Sequence, residues 1–382
     1  MTERGLGEVN PCFMPEGLDP ADPVRDHRVF SLLVDPGRYQ AATVDLKTNE
    51  AQRAYWLGLF RDHFPMLLAE ARREQLDAGD VPECFQPAMQ RAERDFMGYL
   101  DKAETQPEAF ERLDILEICW ARERVLRAVG IADPYRLAKA EQNEAALKHL
   151  PGWLADLDGM QRGEKWLSLV RGVLAGNVFD LGATKTVHMY QDGASPGFRE
   201  TLGKLKPRPW FRDDADVFVE RWAGRRFGQA LLFVDNAGPD IVLGMIPLAR
   251  ELARYGRVIL SANAAPSLND VTHDELLVLL ERVAALDPTL AEELASGRIR
   301  AVTSGNWAPL MDLSRVSPEL DEAVGGGVDL VVLEGMGRAI ESNYEAALSC
   351  DCLKIAMIKD DGVSEALGAR LFDLVCRFDP VD

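Results

Sequence analysis

The sequence predicts an α/β protein: a three-layer α/β/α sandwich with a mostly parallel sheet, together with an N-terminal all-helical region. Three observations predict it. From about Phe227 onward, short apolar runs alternate with amphipathic stretches, which is the grammar of a parallel sheet covered by helices. Between 48 and 142 the chain is instead rich in Ala, Leu, Arg and Glu and has almost no strand-like run. Finally, 231–235 and 258–262 read as buried strands, each running straight into a turn dense in Asp, Asn, Gly and Pro.

In chain order, the helical part breaks near Val81-Pro82 and Asp133-Pro134 and resumes through 163–174, which leads into Asn177 and Asp180. The division expected is a mainly helical region over 1–200 and an α/β/α domain over 201–382. In the second part the patterns give strand 231–235, helix 241–254, strand 258–262, helix 273–285, strand 299–303, strand 328–333, helix 338–348 and strand 353–358. The helix after 231–235 ends at Gly256, so 231–262 is one βαβ unit. Gly325-Gly326-Gly327 is a turn before a strand; with no helix directly after it, it does not read as a phosphate loop.

Composition narrows the function. A chain of 382 residues, 47% hydrophobic and 27% charged, can bury a large core. The net charge of −19 argues against a nucleic-acid partner, which needs clustered Lys and Arg. No apolar run approaches the roughly 18 residues that span a bilayer. The opening Met1-Thr2-Glu3-Arg4-Gly5-Leu6-Gly7 lacks the basic-then-apolar layout of a signal peptide, so a cytoplasmic location is expected. The six cysteines are scattered, and Cys350-Asp351-Cys352 is not a C-x-x-C pair, so free thiols in a reducing compartment are expected.

The strand ends carry the candidate chemistry. Asp235 and Asn236 follow one strand, and Asn263, Asn269 and Asp270 follow its neighbour. Such residues commonly form turns and cap helices. Here, however, Thr272 and Glu275 already make a capping box, which leaves Asp270 spare. Carboxylates and carboxamides meeting at adjacent strand ends outline a site for a hard cation. Two further strand ends add Glu334, followed by Gly335 and Gly337 with Arg338, and Lys359. Arg338 can offer a planar fork to a phosphate and Lys359 a point charge. Taken singly, Glu334 and Arg338 are an i, i+4 ion pair and Lys359 a solvated strand end. Metal ligands on one side and cations on the other suit phosphoryl chemistry.

Over nearly its whole length the sequence resembles the metal-dependent damage-control phosphatases, above all the group related to the C-terminal phosphatase domain of some eukaryotic pantothenate kinases. The resemblance rests on 174–180, Asp235-Asn236-Ala237-Gly238, 262–272, 353–359, and Glu334-Gly335-Met336-Gly337-Arg338 with Asn343-Tyr344, the five-residue run being the group's signature. It implies a helical region packed on an α/β/α sandwich. Asp235, Asn236 and Asp270 match the family's ligands for a divalent cation (manganese, cobalt, nickel or magnesium), with Asp235 and Asp270 also the expected catalytic residues. Lys359 matches a phosphate-contacting lysine, Glu334 to Arg338 a substrate-side loop, and Asn177 and Asp180 a polar turn by the same pocket. The implied activity is hydrolysis of a small phosphorylated metabolite, 4′-phosphopantetheine or its oxidised or damaged forms, with a sugar phosphate as the alternative substrate. Attack by water and attack by the Asp235 carboxylate both stay open. One departure stands out: relatives commonly read Trp-Gly-Ala-Lys after Asp180, whereas here the lysine moves one place on, to Lys185. Tyr135, Lys139 and Asn143 are candidates for closing the pocket. A non-catalytic metal- or ligand-binding regulator is the other class of answer, and a dehydrogenase is disfavoured because no G-x-G-x-x-G follows an early strand.

Overall fold

The computed structural model describes residues 22–42, 44–77, 79, 82–178 and 197–381. It divides into two compact units, one built on Val44–Leu137 and one on Val24–Thr43 with Ala138–Asp382. In the first unit, α1 (Glu50–Asp77) and α2 (Phe85–Thr105) pack through aromatic rings, with Phe64 and Phe96 centroids 4.5 Å apart, and α3 (Ile115–Ala128) lays Arg122 over the Phe60 ring. The Asp114 side chain accepts the Glu117 N–H at 2.9 Å and caps α3.

The second unit carries a seven-stranded sheet. Its strands are β1 (Arg212–Asp213), β2 (Gln229–Phe233), β3 (Arg257–Ala262), β4 (Ile299–Thr303), β5 (Leu330–Glu334), β6 (Asp351–Met357) and β7 (Leu374–Asp379), in the order β1-β7-β6-β5-β2-β3-β4. Every neighbouring pair is parallel except β6 with β7. Every residue of β2, β5 and β6 is buried, so side chains pointing to either face are covered and the sheet is the middle of three layers. The helices α4 (Arg136–Leu147), α5 (Leu150–Gly159), α6 (Arg162–Gly176), α7 (Phe198–Lys204), α8 (Ala215–Trp222), α9 (Ile246–Ala253), α10 (His273–Leu286), α11 (Pro288–Ala295), α12 (Pro318–Val324) and α13 (Asp361–Leu367) accompany it.

From β2 the chain steps outward through β3 to β4, then returns to the other side of β2 as β5 and continues to β6. The winding therefore reverses beside β2. In open parallel sheets such a reversal leaves a crevice at the carboxyl ends of the strands, and that is where a ligand site belongs.

Two expected helices come out differently. The 241–254 helix opens as a π-helical stretch, Asp240–Met245, before α9. Of the 338–348 helix only a π-helical Met336–Glu341 forms. The reason lies in the next two residues. Asn343 Nδ2 donates to the Arg338 carbonyl at 3.0 Å, taking the acceptor that the next helical bond would use, and Ser342 Oγ adds to the Gly337 carbonyl at 2.5 Å beside its own N–H. The capping box does form, with Thr272 and Glu275 bonding each other's backbone N–H.

Cys119, Cys350, Cys352 and Cys376 are free and buried. Burial pushes the Cys350 and Cys352 thiols up to about 12, so the C-x-C pair is inert packing at the start of β6. Cys84 is disulfide-bonded, against the expectation of six free thiols; connectivity cannot be read from cysteine spacing. No described helix is long and apolar enough to cross a membrane.

One ion network ties helices of this unit together. Arg250 on α9 donates to Asp158 of α5 at 3.0 and 2.9 Å and to Asp287, the cap of α11, at 3.0 Å. Those Arg250 hydrogen bonds hold the Asp158 carboxyl below the usual carboxylate range.

Candidate active site

The loops after β2 and β3 pair with each other just beyond the sheet. Val271 N–H donates to Asp235 O at 2.9 Å, Ala237 N–H donates to Asn269 O at 2.9 Å, and Asn236 and Asp270 form an isolated antiparallel bridge. This brings together Asp235, Asn236 and Asp270, all buried. Glu334 ends β5, adjacent to β2 in the sheet, and its Oε2 accepts the Asp235 N–H at 3.1 Å. Directly after it, Gly335 has φ of 98°, and a Cβ there would overlap the Asp235 carboxylate. Only glycine lets the two strand ends approach so closely.

Asn177, just past α6, sits at the centre with 0% exposure. Its Nδ2 reaches Glu334 Oε1 at 2.7 Å, Asp240 Oδ2 at 3.2 Å and Asp235 Oδ2 at 3.3 Å. Its Oδ1 accepts Met357 N–H at 3.2 Å, and its backbone carbonyl accepts Lys359 Nζ at 2.7 Å. One asparagine thus ties α6 to the ends of β2, β5 and β6. The expectation for it was only a polar turn near the pocket. Asp180 and Lys185 lie outside the described residues.

Arg338 is 1% exposed and stands between two of the carboxylates. Its Nη1 bonds Asp235, and its Nη2 donates to Asp270 Oδ2 at 2.8 Å and Asn263 Oδ1 at 3.1 Å. Asn263 Nδ2 in turn donates to Asp270 Oδ2 at 2.8 Å. The fork expected to face a phosphate therefore clasps Asp235 and Asp270 here. Lys139 Nζ, buried on α4, pairs with Glu275 at 2.7 Å and meets Asp270 O at 3.5 Å, while Asn143 Oδ1 accepts Gly238 N–H at 2.7 Å. Both of these α4 residues brace the site loops. Tyr135 is buried.

Asp240 is the residue that sequence reasoning missed. Five positions after Asp235 and at the start of a helical stretch, it has the look of an ordinary cap. In the structure its side chain turns back: Oδ2 accepts Asn236 Nδ2 at 3.0 Å, and Oδ1 is buried with no hydrogen-bond partner. Burial raises its carboxyl above the ordinary value, against the opposing charge of Lys359 and hydrogen bonds from Asn236 and Asn177. Asp235, Asp240 and Glu334 each offer an oxygen within 4.8 Å of the others.

The charges at the centre do not balance. Asp235, Asp240, Asp270 and Glu334 converge with Arg338 and Lys359, all of them buried. Surplus buried carboxylate, oxygen-only donors and an orphaned acceptor fit a hard divalent cation.

The geometry agrees with what this chain is similar to. The description "Damage-control phosphatase ARMT1-like domain" matches residues 60–375. The chain belongs to the damage-control phosphatase family. It is 37% identical to a damage-control phosphatase of Arabidopsis thaliana over 90% of this chain and 92% of that one. It is also 37% identical to a pantothenate kinase 2 of Arabidopsis thaliana and 34% to a 4′-phosphopantetheine phosphatase of Mus musculus, covering 92% and 91% of this chain. Of those longer relatives the chain spans only 42% and 48%. A DUF89-family crystal structure from Pyrococcus horikoshii shares the fold, with a TM-score of 0.59 at 17% identity over 84% of this chain and 96% of that one. The strand-end residues pointed to the chemistry that this family's description names.

Proposed function

We propose that this damage-control phosphatase hydrolyses a small phosphomonoester, 4′-phosphopantetheine or its oxidised or damaged forms, using manganese, cobalt, nickel or magnesium. The observation that carries the reading is the convergence of Asp235 and Asp270 on Arg338, with Asn236 bonded to Asp235, at the sheet's reversal point, in a chain similar to a phosphatase named for that substrate.

Asp235, Asn236 and Asp270 would hold the cation. The Asn236 Nδ2 is engaged by Asp235 at 2.8 Å and Asp240 at 3.0 Å, which leaves Oδ1 as the ligating atom. When bound, the cation polarises the phosphate and neutralises part of its charge. Arg338 exchanges its carboxylate partners for phosphate oxygens, and Lys359 adds a second fixed positive charge in the same water-poor crevice. Either Asp235 or Asp270 accepts the proton of an attacking water, or Asp235 itself attacks phosphorus. A single turnover in heavy-oxygen water separates these routes, because label found in the Asp235 carboxylate excludes direct attack by water.

The test is phosphate release by metal-stripped protein given 4′-phosphopantetheine, its sulfonate, fructose 1-phosphate or p-nitrophenyl phosphate, with each metal restored singly. Metal-dependent release with the phosphopantetheine forms preferred supports the proposal. Preference for the sugar phosphate keeps the chemistry and overturns the substrate, and metal binding without any release overturns catalysis.

A further inference from the structure

We infer that Asp235, Asp240 and Glu334 form a second cation position, which shares Asp235 with the Asp235, Asn236 and Asp270 set. The inference deepens the phosphatase reading and rests on it for the first cation. Three buried carboxylates offer oxygens within 4.8 Å of one another, and the cluster holds an independent sign of a missing partner. Asp240 is 0% exposed, and its Oδ1 has no hydrogen bond. A buried carboxylate oxygen left unpaired is costly, and in folded proteins it is nearly always satisfied.

Amides already hold other oxygens of the cluster, Asn177 Nδ2 reaching Glu334 Oε1 at 2.7 Å and Asp235 Oδ2 at 3.3 Å, and Asp240 Oδ1 is the oxygen left over. Amide N–H groups of Asn177 and Asn236 go to Asp240 Oδ2, at 3.2 and 3.0 Å. Lys359 directs a hydrogen bond to the Asn177 carbonyl at 2.7 Å, and Arg338 clasps the other side of the centre. Asp235 lies between the two halves. Its Oδ1 faces Arg338, while its Oδ2 faces the amides of Asn177 and Asn236 at 3.3 and 2.8 Å. A carboxylate whose oxygens serve two clusters is how paired-metal phosphatases hold ions roughly 3.5–4 Å apart.

The backbone around the cluster is crowded on purpose. At Gly176 a Cβ would meet Asp240 Cα at 2.8 Å, and at Gly335 it would overlap Asp235. Hard oxygen donors with no sulfur or imidazole select magnesium or manganese over softer ions. A proton shared by Asp240 and Glu334 is the competing occupant.

Manganese counting on the stripped full-length chain decides between them, by equilibrium dialysis with low-temperature electron paramagnetic resonance on the same samples. The expected result is two equivalents with a spin-coupled spectrum. Asp240→Asn and Glu334→Gln should each fall to one equivalent with an uncoupled spectrum, with circular dichroism confirming that they are folded. One uncoupled equivalent in the unaltered chain overturns the second position and leaves the phosphatase reading intact. No bound manganese overturns both.

Discussion

Around Arg250, one guanidinium meets the carboxylates of Asp158 and Asp287; at the carboxyl ends of β2, β3 and β5, four carboxylates meet Arg338 and Lys359. Both are ion networks in the same unit, assembled from the same residue types. They differ in what is left over. Arg250 bonds both of its carboxylates, and Asp158 stays partly in water, so that network fastens helices together at little electrostatic cost. The strand-end centre is buried with surplus negative charge, which costs stability and is retained only where something outside the chain repays it.

On that contrast, changes to the carboxylates of the centre should cost activity and not stability. Asp270→Asn, which removes a ligand charge, should lower phosphate release about 10³-fold, with thermal melting unchanged or raised. Near-native turnover with several added metals would sink the assignment. Gly335→Ala sharpens the geometry, since φ of 98° and the overlap with Asp235 both oppose a side chain. It should destabilise by about 1–3 kcal/mol and cut turnover at least about tenfold, read by urea unfolding and phosphate release.

The next pair should move in opposite directions. Arg250→Met takes the guanidinium away from Asp158 and Asp287 and should destabilise by about 2 kcal/mol with turnover unaltered. Asp240→Asn in metal-stripped protein relieves surplus charge and should stabilise by about 1 kcal/mol. Equal signs for the two in urea unfolding would break the comparison.

The smallest effect is a pH dependence. Asp158 has its folded pKa lowered by Arg250. Its contribution is therefore present above the unfolded value, about 3.9, and is lost as pH falls through the lower folded value. The stability difference between the unaltered chain and Asp158→Asn should hold from neutral pH to about 4 and shrink below that. A constant difference down to acid pH would remove the Arg250 contact from the explanation.

Much of this was legible in the sequence because buried parallel strands and their caps are local. The apolar runs of β2 to β6, the capping box at Thr272 and the meeting of Asp235 with Asp270 all follow from short-range pattern. The antiparallel β7, between β1 and β6, was not, since a strand's partner is a matter of topology and not of period. The π-helical turns were missed because they arise where side chains such as Ser342 and Asn343 compete for backbone carbonyls. Asp240 hid behind the statistics of caps, and Arg338 was aimed correctly at the site while its carboxylate partners were not foreseen.

Asn177 has one more consequence, and it concerns timing. Its bonds to Met357 and Lys359 bridge 180 and 182 positions of chain. Such closures are slow and come after local helices and adjacent strands have formed. The carboxylates of β2 and β5 can therefore be in place while the asparagine that aligns them is not. A partly folded chain holds the parts of the site without the alignment, which arrives together with the finished fold.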